Sequence, residues 1–178
     1  MEKKKGKDRQ ALLVVDVQQG LFEREIPIYQ AERVLANINR LIGRARKTAA
    51  PVIFIQHSND GTLKKNSREW QLHPAIQPLP GETRIYKLEA NAFLGTPLEE
   101  ELNKRGVGEV VVCGLVTHGC VKATTLGAIE KGFRTVLAGD AHSNFSRDAA
   151  KLIAKWNREL GGKGAEILNS QEVVFSGM

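Results

Sequence analysis

Residues 109–133 read EVVVCGLVTHGCVKATTLGAIEKGF. Glu109–Cys113 is a short, continuous apolar run, the pattern of a strand buried on both faces. Gly114 ends it. A tight turn follows, and Gly119–Lys131 has helical composition up to the stop at Gly132. Strand, turn and helix in that order make one βα unit, and the rest of the chain repeats it. Ala11–Val15 (ALLVV) runs into Asp16, Val52–Gln56 (VIFIQ) into His57, and Arg134–Ala138 (RTVLA) toward Asp140 and His142. Arg84–Leu88 (RIYKL) and Ala165–Leu168 read as further strands. Between them, Tyr29–Ala50 places Val34, Leu35, Ile38, Leu41, Ile42 and Ala45 on one helical face, and Pro51 closes that helix. Ser146–Leu160 is another helix, stopped by Gly161 and Gly162. Strands alternating with helices of this length predict an α/β fold with a parallel sheet.

Composition narrows the class. The 178 residues fit one domain, with a 42% hydrophobic share that supplies a core and a 26% charged share ordinary for a globular protein. We expect a disordered basic tail over residues 1–10 and a single domain over 11–178. The first ten residues are charged and carry no apolar stretch of a secretory signal. No apolar run reaches membrane-spanning length. A cytoplasmic location without membrane partners is expected. The net charge of +6 does not imply nucleic acid, because half of it is the surplus of Lys3, Lys4, Lys5, Lys7 and Arg9 over Glu2 and Asp8. The remainder is scattered among acids. Ser58–Gly81 is polar, holds Pro74, Pro78 and Pro80, and is predicted to be a functional loop or lid.

An open parallel sheet binds ligands beyond the carboxyl ends of its strands. Asp16, His57, Gly114–Cys120, Asp140 and His142 follow strands, so the polar residues gather at one edge. Two cysteines are present, and a cytosolic setting argues against a disulfide. Cys113 lies within an apolar strand and reads as a small hydrophobe. Cys120 opens a helix, where free N–H groups and the helix dipole favour a thiolate and can hold an oxyanion. Asp16 alone reads equally as a cap or turn residue. Lys87 alone reads as an exposed lysine on an edge strand. His57, His73, His118 and His142 lack metal-site spacing, which leaves open only a metal site assembled from distant segments, and no phosphate-loop fingerprint accompanies the strands, so no nucleotide cofactor is expected.

Three stretches together, DVQQGLF after the first strand, YKLEANAFLGTPLEE in the middle and VVVCGLVTHGCVKATTLGAIEKGF later, resemble the isochorismatase-like hydrolases. The resemblance covers roughly residues 11–175. It implies a doubly wound six-stranded parallel sheet with helices on both faces. It implies a triad of Asp16, Lys87 and Cys120, a non-proline cis peptide at Leu115–Val116, and an oxyanion site made by the Val116 and Cys120 amides. It implies cysteine-dependent cleavage of a carbon–nitrogen bond in a small amide, lactam or carbamoyl compound through a thioester, without cofactor, in a homodimer or homotetramer.

Phe22, Trp70, Phe93 and His118 are candidate pocket residues, the aromatics being as readily core. The sequence departs from the family's nicotinamidases, whose metal-binding Asp-x-His pair is missing from Gln56-His57-Ser58-Asn59-Asp60, so no metal is expected. It also departs from small members with Gln-Thr-Glu before the cysteine, having Val116-Thr117-His118-Gly119 instead. True isochorismatases act on a vinyl ether and lack the cysteine. The remaining alternatives are a streptothricin-lactam or nicotinamidase type of hydrolase, a non-catalytic binding module, and a redox-sensing thiol.

Overall fold

The apolar runs of the sequence lie side by side in a computed structural model that describes residues 7–176. The strands are β1 (Arg9–Val15), β2 (Val52–His57), β3 (Thr83–Lys87), β4 (Val107–Leu115), β5 (Arg134–Ser143) and β6 (Glu166–Leu168). They form one six-stranded sheet in the order β3-β2-β1-β4-β5-β6. Every neighbouring pair is parallel. The doubly wound sheet implied by the resemblance is therefore the observed one. The order reverses between β1 and β4, which places a switch-point crevice above their carboxyl ends.

Side-chain alternation along β1 builds two cores. Leu12 and Val14 join Val34, Ile38, Leu41 and Ala45 of α2 (Ala31–Lys47) on one face. Ala11, Leu13 and Val15 join α3 (Leu98–Lys104), α4 (Lys122–Glu130) and α5 (Ala149–Gly162) on the other, through Leu98, Leu102, Ala128 and Leu160. Full burial of each large aliphatic side chain contributes about 1.5–3 kcal/mol. A one-turn helix, α1 (Gln19–Phe22), follows Asp16.

Some expectations need correction. Arg9 and Gln10 belong to β1, so the tail does not extend to residue 10; residues 1–6 lie outside the described residues. Asp140 and His142 lie within β5 rather than after it, because Val112 pairs with Leu137 and Gly114 with His142, leaving extra β5 residues in a bulge. Helix α3 went unread because two apolar residues, Leu98 and Leu102, give too short a period. Ser58–Gly81 packs against the sheet edge. Backbone bonds from Gln19 to Gln71 (2.8 Å), Gly20 to Glu69 (2.9 Å) and His73 to Val17 (2.8 Å) fasten it across the end of β1. Its Leu63, Trp70, Leu72 and Ile76 are buried.

Candidate active site

Four strand ends converge on one lysine. Asp16 follows β1 in a left-handed conformation (φ 50°), tolerated by Asp better than by most residues, and its N–H donates to Ile55 O at 2.9 Å. His57 ends β2 and pairs in register with Lys87, the last residue of β3. Two-residue alternation turns Ile85 and Lys87 inward and leaves Tyr86 outward. Lys87 is only 1% exposed, so its edge position does not put it in solvent.

Cys120 comes from the end of β4. Gly114 (φ 121°) lets β4 press against β1: a Cβ there would lie 2.1 Å from Val15 O. The Leu115–Val116 peptide is cis, at the position the resemblance implied. Thr117–Val121 then forms a single π-helical turn, kinked at Gly119, before α4 begins. Cys120 thus sits on the turn leading into α4 and is partly exposed.

Lys87 Nζ lies 3.1 Å from Asp16 Oδ2 and 3.1 Å from Cys120 Sγ. It lies 3.0 Å from His57 Nδ1 and 3.0 Å from the backbone oxygen of Glu89. The three residues of the expected triad are therefore together, and His57 joins them. Burial raises the Asp16 carboxyl above its ordinary range, with Lys87 opposing. The Cys120 thiol is pushed up to about 12, first by burial and then by the charge of Asp16, with Lys87 opposing. Burial first, and the neighbouring carboxylate second, oppose the thiolate that a helix end favours. Burial and Lys87 hold His57 below the usual imidazole range.

Among the described residues, Asp16, His57 and Cys120 bring possible metal-ligand atoms within 4.8 Å of one another. Lys87 Nζ already contacts all three, and a fixed positive charge there opposes a metal cation. The donor set does not fit a metal while Lys87 occupies it.

A buried polar chain anchors the nucleophile turn. Asn157 Nδ2 donates to Gly139 O (3.1 Å), so its Oδ1 is the acceptor that faces His142 Nε2 at 2.7 Å. His142 Nε2 therefore carries the proton, and Nδ1 accepts from the Thr117 hydroxyl at 2.9 Å. Asn144 Nδ2 donates to Thr117 Oγ1 at 3.1 Å. Gln18 fixes the other side: its Nε2 donates to His57 O and Trp70 O, both at 2.9 Å, and its Oε1 accepts from His57 N at 2.9 Å. Nothing in the sequence signals these roles beyond polar residues at strand ends.

The candidate pocket residues separate. Phe93 is buried in the core and stacks on Phe133 with ring centroids 5.8 Å apart. Trp70 is buried, donates Nε1–H to Ser58 Oγ at 3.0 Å, and lies 5.4 Å from the Tyr86 ring. Phe22 is half-buried against His73 at 4.5 Å. His118 is exposed on the turn that carries Cys120. Cys113 is buried, its Sγ 3.5 Å from Leu13 O. Asp140 is turned away toward Ser170, whose N–H donates to it at 2.6 Å.

Comparison with known proteins gives the family and the fold. The isochorismatase domain family matches residues 10–172. A streptothricin hydrolase of Streptomyces noursei is 38% identical over 147 residues, covering 82% of this chain; the match spans 58% of that protein's length. A maleamate amidohydrolase of Pseudomonas putida is 31% identical over 158 residues, covering 75% of this chain and 74% of the relative. The crystal structure of an isochorismatase from Pseudomonas putida KT2440 superposes with a TM-score of 0.86 at 26% identity, covering 93% of this chain and 90% of that one. The chain belongs to the isochorismatase family of hydrolases.

Proposed function

We propose that the protein is an amidohydrolase that cleaves a carbon–nitrogen bond of a small molecule, with Cys120 as nucleophile. The observation that carries the reading is the buried Lys87 Nζ, 3.1 Å from both Asp16 Oδ2 and Cys120 Sγ. The names of the streptothricin hydrolase and maleamate amidohydrolase relatives support the bond class. Asp16, its basicity raised by burial, takes the thiol proton as sulfur attacks the carbonyl carbon. The carbonyl electrons move to oxygen, where the Val116 and Cys120 N–H groups hold the oxyanion. Asp16 returns the proton to nitrogen, the C–N bond breaks, and a thioester remains. Water then gives a proton to Asp16 and attacks the thioester, and the departing sulfur recovers that proton. Lys87 keeps its charge between carboxylate and sulfur throughout.

We place the reaction without a metal, in a single domain over 11–178, with Phe22 and His118 at the pocket mouth. A homodimer or homotetramer and a cytoplasmic location complete the reading; among the described residues no helix is long and apolar enough to cross a membrane. The test is a screen of primary amides, lactams and carbamoyl compounds, maleamate and streptothricin included, for released ammonia or amine or, with a lactam, for the ring-opened amino acid. Wild type should turn over at least one of them, and Cys120→Ala should be at least about a thousandfold slower. Equal turnover by the two would remove the nucleophile assignment. No turnover of any compound would favour a binding module.

A further inference from the structure

Lys87 presents more acceptors than it has protons. An ammonium nitrogen carries three N–H groups and no lone pair, so it can only donate. Four groups lie at hydrogen-bond distance: Asp16 Oδ2 at 3.1 Å, Glu89 O at 3.0 Å, His57 Nδ1 at 3.0 Å and Cys120 Sγ at 3.1 Å. The carboxylate and the carbonyl are strong acceptors and retain two of the protons. His57 and Cys120 compete for the third. A neutral imidazole nitrogen accepts better than a neutral thiol sulfur, whereas a thiolate outcompetes both.

We infer that His57 is a positioning residue of the reaction, acting through Lys87: its Nδ1 holds the third lysine proton in the resting protein and releases it to Cys120 Sγ as the thiol ionises. The inference rests on Cys120 being the group that ionises. No bond to carbon changes in this step; Lys87 remains an ammonium, and one of its N–H groups changes partner. His57 must then be neutral, with its proton on Nε2. The charged and titratable groups facing it are Asp16 from β1, Lys87 from β3, Glu89 from the loop after β3, and Cys120. Burial and the Lys87 charge favour the neutral ring and outweigh Asp16 and the Glu89 backbone and carboxylate, which oppose them. The consequence is a thiol kept protonated and unreactive until substrate arrives, with the stabilising donor already 3.1 Å away.

Two measurements test this without any substrate, so their outcome is separate from that of the amide screen. The first is the rate of iodoacetamide alkylation of Cys120 between pH 7 and 10, assigned by peptide mass mapping in the full chain. His57→Leu removes the competing acceptor and should speed alkylation at each pH about tenfold, the equivalent of one pKa unit. His57→Asn places an amide oxygen where Nδ1 lies and should stay within about twofold of wild type. An unchanged or slower rate in His57→Leu, or an equal acceleration in both variants, would overturn the inference. The second uses nitrogen-15 shifts of the wild-type imidazoles at neutral pH. His57 should show a bare Nδ1 and a protonated Nε2; a protonated Nδ1 would overturn the inference even where the leucine variant does not fold.

Discussion

Lys87 Nζ lies 3.1 Å from Asp16 Oδ2 although the two residues come from β3 and β1, with β2 between them. The pair spans the sheet over the end of β2, and both side chains are almost wholly buried. Removing one partner leaves the other charge uncompensated in a dry site. Lys87→Met should cost roughly 3–5 kcal/mol at pH 7. The sign follows from Asp16: its folded carboxyl is raised, so its share of stability is full below its unfolded value and falls as pH rises through the folded one. Lys87→Met should therefore lose more stability at pH 7 than at pH 4, and adding Asp16→Asn should recover most of the loss. Urea denaturation of the two single variants and the double variant at both pH values checks this.

Asp16 has opposite effects on thiol ionisation and on turnover. Its negative charge helps push Cys120 up to about 12, and its basicity is what the proposed reaction uses. Asp16→Asn should speed alkylation of Cys120 at pH 8 while lowering hydrolysis by about two to four orders of magnitude. Slower alkylation in the variant would show that the carboxylate does not raise the thiol.

The Thr117–His142 contact, 2.9 Å long, holds the turn that carries Cys120. Thr117→Val keeps the shape but leaves His142 Nδ1 and Asn144 Nδ2 without their partner, at about 1–3 kcal/mol each. His142 is held below the usual imidazole range, chiefly by burial. A depressed folded value means that stability is full above about pH 6.5 and is lost as pH falls from there through the folded value. Thermal melts from pH 7.5 to 5 should show this decline in wild type and a flatter profile in His142→Leu.

Cys113 gives the contrasting thiol. It is wholly buried between β1 and α2, and burial raises its thiol further above the ordinary range. Cys113→Ala should cost roughly 1–2 kcal/mol of packing and leave turnover within about threefold of wild type. Denaturant midpoints and steady-state rates measured on the same preparation check both halves.

The sheet was legible because β1, β2, β4 and β5 announce themselves as apolar runs between turns. Asp16 and Cys120 were legible as the residues that follow two of those runs. The buried state of Lys87 was not, since a lysine on an edge strand is ordinarily solvated. Only the resemblance singled it out: strand alternation turns it inward, and Asp16 and the Glu89 carbonyl, which hold the ammonium there, lie far away in sequence or outside the strand. His57 was visible as the residue after VIFIQ, yet its role depends on the β2–β3 register that sets it beside Lys87. The Thr117–His142–Asn157 chain depends on the β5 bulge, which nothing in RTVLAGDAHS signals. The upward push on the Cys120 thiol was not legible, because it comes first from burial and then from Asp16, and neither shows in the residues around the cysteine.

The proposed reaction passes through a covalent acyl group on Cys120. The direct measurement is intact and peptide mass spectrometry after rapid acid quenching of the protein with a compound it turns over. The expected result is an added mass equal to the substrate minus its leaving amine, or to the whole substrate where a lactam ring opens, located on the peptide containing Cys120, labile to hydroxylamine and absent from Cys120→Ala. An adduct on Lys87 or Cys113, or full turnover by Cys120→Ala with no adduct, would contradict it.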